Sequence, residues 1–343
     1  MATGKGPTRR FRRWRFRPRD SPVIATARAW AARALVGAAA AGTARAFYGL
    51  VRRRAVVKIV VNTPRPENVL RLHDDLHDWR SPSDRPSRWD RINHRGEPVT
   101  LLEGPAVVAG SAIALAVAPG VPIRLRAAGV VATVGCGALG AYDDLAGSGD
   151  ARGLRGHLRA LRSGEVTTGA VKVLGIGTVG VLAAALAGRP TPPRRNEGGW
   201  VLDVLLGGAV VASLANLVNL FDLRPGRAIK VTVALAGPAT VQPGPAGTIA
   251  AVPVGAALGV LPEDLGERAM LGDCGANALG ALIGVAVLAR YGRIGRFAHL
   301  AGATALTLAS ERVSFTDIIE RMPALRRLDA LGRRSQELVE SPT

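Results

Sequence analysis

Cysteine, lysine, aromatic residues and acidic charge are all scarce in this 343-residue chain, and each shortage excludes something. Two cysteines, Cys136 and Cys274, are too few for a disulfide framework or a cysteine-based metal site. Aromatics make up 4%, while the hydrophobic share is 48%, with 42 glycines beside it and a mean hydropathy of +0.19. Length alone would make roughly two soluble domains. Apolar material beyond what a core needs, supplied as Ala, Val, Leu and Gly instead of rings, is the composition of a membrane protein. No clean signal-peptide core follows the basic start, because Arg28 and Arg33 interrupt it. No internal repeat of 20 to 50 residues is visible.

Acidic residues number 26 against 45 basic ones, a net charge of +19 and a pI near 11.5. Spread over one face, that excess would mark a nucleic-acid binder. It is not spread: residues 1–65 hold 16 basic residues and the single acid Asp20, and the other 278 residues sum to +4. No nucleic acid is expected as a partner. The excess lies beside the first apolar segment, where anionic membrane lipids are the expected counter-charge.

Apolar stretches run over 34–51, 104–118, 127–141, 166–187, 200–221, 228–240, 246–261, 274–289 and 297–310. Several fall short of the roughly 20 residues of a perpendicular span, so their ends are soft. The expectation is an all-α, polytopic integral membrane bundle of about 8–10 transmembrane helices. It divides into a basic segment (1–33), a membrane domain (34–310) and a cytoplasmic amphipathic tail (311–343). Sorting the loops onto alternate sides puts 24 basic residues on one face and 8 on the other. By the positive-inside rule the first face is cytoplasmic, which implies a multi-pass protein of the inner or plasma membrane. The first apolar segment has two readings. If it spans, residues 1–20 with eight basic side chains lie outside, against the rule, and a mid-membrane Arg costs about 3 kcal/mol. Otherwise residues 21–50 lie along the cytoplasmic surface as a basic amphipathic helix. Later helices keep their direction under both.

The apolar body is nearly free of carboxylates, and the exceptions fall together. Asp143 and Asp144 end the third helix, Asp222 ends the fifth and Asp273 precedes the eighth, all at the cytoplasmic edge. Each alone has an ordinary reading as a solvated boundary, a surface ion pair or a helix cap. Together, near Arg152, Arg155, Arg159, Lys172, Arg224 and Arg227, they suit a divalent cation with phosphates. Mg²⁺ takes one or two carboxylates plus phosphate oxygens, and Arg grips phosphate bidentately.

Gly140-Ala-Tyr-Asp143-Asp144-Leu-Ala-Gly147, Asn216-Leu-Val-Asn219-Leu-Phe-Asp222 and Met270-Leu-Gly-Asp273-Cys-Gly-Ala-Asn-Ala-Leu-Gly280 stand in order, preceded by Asn93-His-Arg-Gly-Glu-Pro-Val-Thr100 and Gly104. Over roughly residues 90–290 this series resembles the cytoplasmic motifs of the polyprenyl-phosphate N-acetylhexosamine-1-phosphate transferases. That superfamily includes the phospho-MurNAc-pentapeptide translocase and the GlcNAc-1-phosphate transferases. The resemblance implies transfer of a sugar 1-phosphate from a UDP-sugar to polyprenyl phosphate with release of UMP, Mg²⁺ as cofactor, and a place in cell-wall or surface-glycan synthesis. Carried over by position, Asp143, Asp144 and Asp273 are the catalytic residues, with Asp273 and Asp143 on the metal. Asn216, Asn219 and Asp222 fall on the nucleotide side, and Asn93, Arg95, Lys172 and Arg155 are further substrate contacts. The departures are Asp222-Leu223-Arg224-Pro225-Gly226, where the family continues Asp-Gly-x-Asp-Gly, and Ala276 in place of Ser. They keep a second class in play: a catalytically inactive relative that binds a lipid-linked precursor or acts as a membrane scaffold. The oligomeric state is open, a homodimer included.

Other patterns have plainer readings. Gly175-Ile-Gly177-Thr-Val-Gly180 matches GxGxxG but lies in an apolar run without a preceding strand, so close helix approach explains it better. His73 and His77 are spaced as a metal pair within a polar loop, and His157 sits in a basic loop. Ile318, Ile319, Met322, Leu325 and Leu328 recur at helical spacing and predict an interfacial helix in the tail. A small-molecule transporter is disfavoured, because Lys172, Asp203, Lys230 and His299 all fall near predicted helix ends and leave the midplane uncharged.

Overall fold

The computed structural model describes residues 22–61, 87–146, 168–188 and 197–334. Its helices fall where the apolar segments do. In chain order they are α1 (Pro22–Val61), α2 (Glu103–Ala116), α3 (Ile123–Ala146), α4 (Thr168–Ala187), α5 (Glu197–Leu220), α6 (Arg227–Ala236), α7 (Pro245–Leu265), α8 (Gly272–Arg290), α9 (Arg293–Ser310), α10 (Phe315–Arg321) and α11 (Pro323–Ala330). Six of them, α1, α3, α4, α5, α7 and α8, are long and apolar enough to cross a membrane. The 14-residue α2, the ten-residue α6 and the more polar α9 account for the other three apolar segments. The protein is an all-α polytopic membrane bundle.

The most enclosed helix is α8, with 89% of its apolar stretch buried against 22% for α1. It packs on α2, α3, α5 and α7. Small residues make this possible. A side chain at Gly140 of α3 would run into the Asp273 carbonyl, and one at Gly280 of α8 into the Leu214 carbonyl. With few rings to fill gaps, the helices meet backbone to backbone, the packing mode available where lipid removes any hydrophobic drive between helices.

The structure selects between the two courses open to α1. It runs beside α7 in the same direction: Gly255 abuts the Gly37 carbonyl, Gly259 abuts Ala41, and Arg52 lies 3.8 Å from Glu263. It therefore traverses the bundle, and the reading of residues 21–50 as a surface-bound helix is corrected. Its described start lies at the N-terminal end of α7, opposite the end where α8 begins. The basic residues 1–20 lie outside the described residues. Counting them with the face on which α1 starts raises its 8 basic residues to 16, still below 24.

Two features were not expected from sequence. Residues 90–100 form an antiparallel hairpin of β1 (Asp90–Ile92) and β2 (Pro98–Thr100), with Asp90 opposite Thr100. Its turn is built by Asn93, whose side-chain oxygen accepts the N–H groups of Arg95 and Glu97 at 2.8 and 2.9 Å. The Met270 N–H donates to the Thr100 carbonyl at 2.9 Å, so the hairpin lies on the segment entering α8. The tail, read as one helix, is two, because Pro323 opens α11 where Met322 is extended. Ile318, Met322, Leu325 and Leu328 are exposed, as an interfacial face requires. The opposite side of the tail is tied down. Phe315 stacks on Phe221 with centroids 5.0 Å apart, and Asp329 accepts two 2.9 Å bonds from the buried Arg227 guanidinium.

Candidate functional site

The chain enters α8 through Gly272, at φ +61°, a left-handed conformation that a side chain would strain. A Cβ there would also stand 2.9 Å from the Asp144 carboxylate. That carboxylate, at the end of α3, accepts the N–H groups of Asp273 at 3.1 Å and Cys274 at 3.0 Å. It thus satisfies two of the orphan donors every helix start presents, and its charge meets the positive end of the helix dipole. The Arg91 guanidinium of the hairpin donates to the Asp144 carbonyl and fixes the end of α3 in turn.

Asp222, in the loop between α5 and α6, approaches the same helix start beside the Gly272 N–H. Burial, followed by the nearby carboxylates of Asp264, Asp273 and Asp144, pushes the Asp222 carboxyl well above the ordinary range; the Gly272 N–H offsets this only in part. Asp143 and Asp273 stand within hydrogen-bonding reach of each other, and the Lys172 ammonium of α4 bridges them, 3.3 Å from Asp143 and in contact with Asp273. Four carboxylates from three separate segments therefore meet at one helix start, with a single ammonium among them in the described residues.

Within the quartet the carboxylates divide. Asp144 is committed to backbone N–H groups. Asp143 and Asp273, with side chains 20% and 25% exposed, converge on a cation. Their hard oxygens match the donor chemistry of Mg²⁺, which is commonly held by one or two carboxylates with the remaining positions filled by water and phosphate oxygens. Among the described residues no group of three His, Cys, Asp or Glu side chains is placed to hold a metal ion. The donor set fits Mg²⁺ in the substrate-completed manner, with Lys172 marking where positive charge is wanted.

Beside the quartet lies a cavity of about 230 Å³ whose lining includes Asn93, His94, Asp222, Arg224, Asp264 and Glu267. Asp264 is 2% exposed; one carboxylate oxygen accepts the Gly226 N–H at 3.1 Å, and the other has no partner among the described residues. Burial and the neighbouring Arg224 lower the His94 imidazole below its usual value, so at neutral pH it faces the cavity uncharged.

The other residues singled out by sequence are placed differently. Asn93 holds its own hairpin and donates to Glu267 at 3.1 Å, and Arg95 pairs with Glu267 at 3.1 Å. Asn216 donates to Thr307 of α9 at 3.1 Å, away from the carboxylates. The Asn219 side-chain oxygen is buried without a partner among the described residues. Lys172 binds the carboxylates themselves. Arg155, His157, His73 and His77 lie outside the described residues. Gly175 and Gly180 of the GxGxxG run pack closely on Leu139 and Gly208, as helix contacts.

Sequence reasoning missed Arg91, Asp264 and Glu267, which read as loop charges, and Glu103 at the start of α2. Glu103 is fully buried, and neither carboxylate oxygen has a hydrogen-bond partner among the described residues. An acid in a first turn looks like dipole compensation, and nothing local distinguishes it. No family model matches the chain, and no curated protein matches it either.

Proposed function

We propose that this protein is a phosphoglycosyltransferase of the polyprenyl-phosphate N-acetylhexosamine-1-phosphate transferase type. It would transfer a sugar 1-phosphate from a UDP-sugar to polyprenyl phosphate at the cytoplasmic face of the inner or plasma membrane. One observation carries the reading: Asp143, Asp144, Asp222 and Asp273, spread over 131 residues of chain, meet at the start of α8 with Lys172 between two of them.

The chemistry asks for little covalent help. A lipid phosphate oxygen attacks the sugar-bearing phosphorus of a pyrophosphate, and UMP leaves. Such transfers are governed by positioning and charge neutralisation. Asp143 and Asp273 would hold Mg²⁺, which supplies positive charge to the pyrophosphate. Lys172 offers an ammonium beside the same oxygens, positive charge available to the leaving phosphate. Asp144 keeps the α8 start rigid, so that Asp273 presents its carboxylate at a fixed depth. Removing the last proton of a phosphate with a second pKa near 6 is a modest task for a nearby carboxylate. The adjoining cavity, lined by Asp222 and by Asp264, one of whose oxygens has no partner among the described residues, suits the hydroxyl and imide donors of a nucleoside, with Arg224 toward its phosphates.

The test is direct. Purified protein in detergent with Mg²⁺, polyprenyl phosphate and a panel of UDP-sugars is expected to release UMP with at least one donor. No UMP from any donor, with lipid and metal varied, overturns the proposal. A second reading, the inactive relative, is favoured by the same Lys172. An internal cation that permanently neutralises Asp143 and Asp273 would occupy the place a substrate-bound cation needs. Complementation separates the two: full rescue of a deletion by Asp273→Asn at normal protein level supports a scaffold and speaks against catalysis.

A further inference from the structure

At the end of the bundle remote from the carboxylates, α1 and α7 enclose an apolar groove of about 370 Å³. It is lined by Trp30, Ala34, Ala38, Ala41, Val254 and Leu258, with the Arg33 side chain and the Thr240 backbone at its head. Arg33 has no need to be there. An Arg near the end of a spanning helix ordinarily snorkels to water, yet this one is 7% exposed. One of its terminal nitrogens donates to the Thr240 carbonyl at 3.2 Å, its Cζ lies 5.3 Å from the Trp30 ring centroid, and its buried Nε has no partner among the described residues. Among the described residues no carboxylate is paired with it.

Its setting sharpens the problem. Gly247, in the first turn of α7, lies so close that a Cβ there would stand 3.1 Å from Arg33 Nε. The guanidinium therefore faces the positive end of a helix dipole, a repulsive arrangement. That helix start has neither a capping side chain nor an acid in its first turn. Arg290, bonded to Gln242 at 3.1 Å, adds positive charge nearby, and Asp203 at the same end is held by Arg293 at 2.5 Å. Two positive features face each other across the head of an apolar slot. An anion carrying a hydrocarbon chain resolves both at once.

We infer that this groove binds one anionic phospholipid, its phosphate between Arg33 and the α7 start and an acyl chain along Ala34, Ala38 and Ala41. The phosphate accepts from the unpartnered Nε and offsets the helix dipole. The small side chains of α1 leave room for the chain. This site lies at the opposite end of the bundle from the carboxylates and holds whether or not they catalyse.

Trp30 gives a built-in probe. The full chain is reconstituted in phosphatidylcholine vesicles carrying a minor fraction of chain-brominated lipid, either phosphatidylglycerol or phosphatidylcholine. The Trp30 signal is taken as the difference between the native protein and Trp30→Phe. Brominated phosphatidylglycerol is expected to quench Trp30 with about fivefold higher apparent affinity, the order set by one basic side chain against an anionic lipid. Arg33→Gln should abolish the preference. Ala38→Leu, which keeps the charge and fills the slot from its lipid-exposed edge, should abolish it too and decides the matter if Arg33→Gln does not fold. Equal quenching by the two lipids, or a preference that survives Ala38→Leu, overturns the inference. So does a preference removed by millimolar inorganic phosphate, which would make the occupant a free anion.

Discussion

The two ends of α8 solve the same electrostatic problem with different amounts of charge. At the C-terminal end one guanidinium suffices: Arg296, 6% exposed, donates to the Tyr291 and Leu288 carbonyls at 2.9 Å each. These two acceptors are met, and Arg290 in the last turn adds charge of the sign that the helix dipole favours. At the N-terminal end Asp144 takes two backbone N–H groups, and Asp222 reaches a third, that of Gly272. The Asp143–Asp273 pair comes on top of that need, and it stands close to Asp144 and Asp222. Like charges brought together at the membrane edge raise the energy of the fold, so they mark a place where something other than stability is served.

The largest effect expected from breaking this comparison is therefore on chemistry, and only at one end. If the proposed reaction is correct, Asp273→Asn lowers UMP release by about 10²–10³-fold, the scale of losing one charge-stabilising group. The melting temperature should move little, since the amide retains the side-chain shape and Lys172 keeps Asp143 as a partner. Arg296→Ala reverses the pattern. Losing the buried bond to the Leu288 carbonyl and the half-buried one to the Tyr291 carbonyl costs about 1–3 kcal/mol, visible as a lower unfolding midpoint in detergent, with turnover per folded molecule unchanged. Equal losses of activity from the two substitutions would mean that both ends are structural.

Asp144→Ala belongs between them. It leaves the Asp273 and Cys274 N–H groups without an acceptor, at a cost of about 2 kcal/mol, and frees the helix start to shift. Thermal unfolding and UMP release should fall together. Asp222→Asn is expected to do the opposite to stability. Its carboxyl is raised by burial and by neighbouring acids, so a neutral isostere relieves repulsion and increases stability by up to about 1 kcal/mol, while UMP release drops.

What the sequence revealed about these ends follows from range. All nine apolar runs fall on helices, because a stretch of Ala, Val, Leu and Gly has few alternatives in a bilayer. The carboxylates that end α3 and α5 and open α8 could be placed on one face, since alternation of spans carries side information along the chain. Contacts that depend on direction within a turn were not legible. Asn216 and Asp222 are six residues apart, yet one bonds Thr307 and the other reaches the Gly272 N–H. The three-residue strands at 90–100 are too short for a period of two to register. The tail break had a local signal that the single-helix reading passed over, since Pro323 after Met322 is the ordinary signature of a new helix start. The close pairing of α1 with α7 rests on Gly255 and Gly259, and glycines in an Ala-rich run say that some helix comes near without saying which.

The smallest and most conditional effect concerns the tail that closes over the carboxylate end. Burial alone would raise the Asp329 carboxyl, but the hydrogen bonds and charge of Arg227, with Arg333 and Lys230, hold it below the ordinary range. A depressed folded-state value means that the ion pair stabilises docking at every pH above the free carboxylate value of about 4. That contribution is lost as the pH falls through the lower, folded value. Hydrogen exchange corrected for intrinsic rate should show α10 and α11 protected at neutral pH and released as the pH falls below the free carboxylate value of about 4, with α8 still protected. Asp329→Asn should remove about 1 kcal/mol of that protection at neutral pH and flatten its pH dependence, since the pair is partly exposed and screened. A tail that detaches at the same pH in both proteins would assign the latch to the Phe315–Phe221 stack instead, and the carboxylate end would then be closed by apolar contact, not by charge.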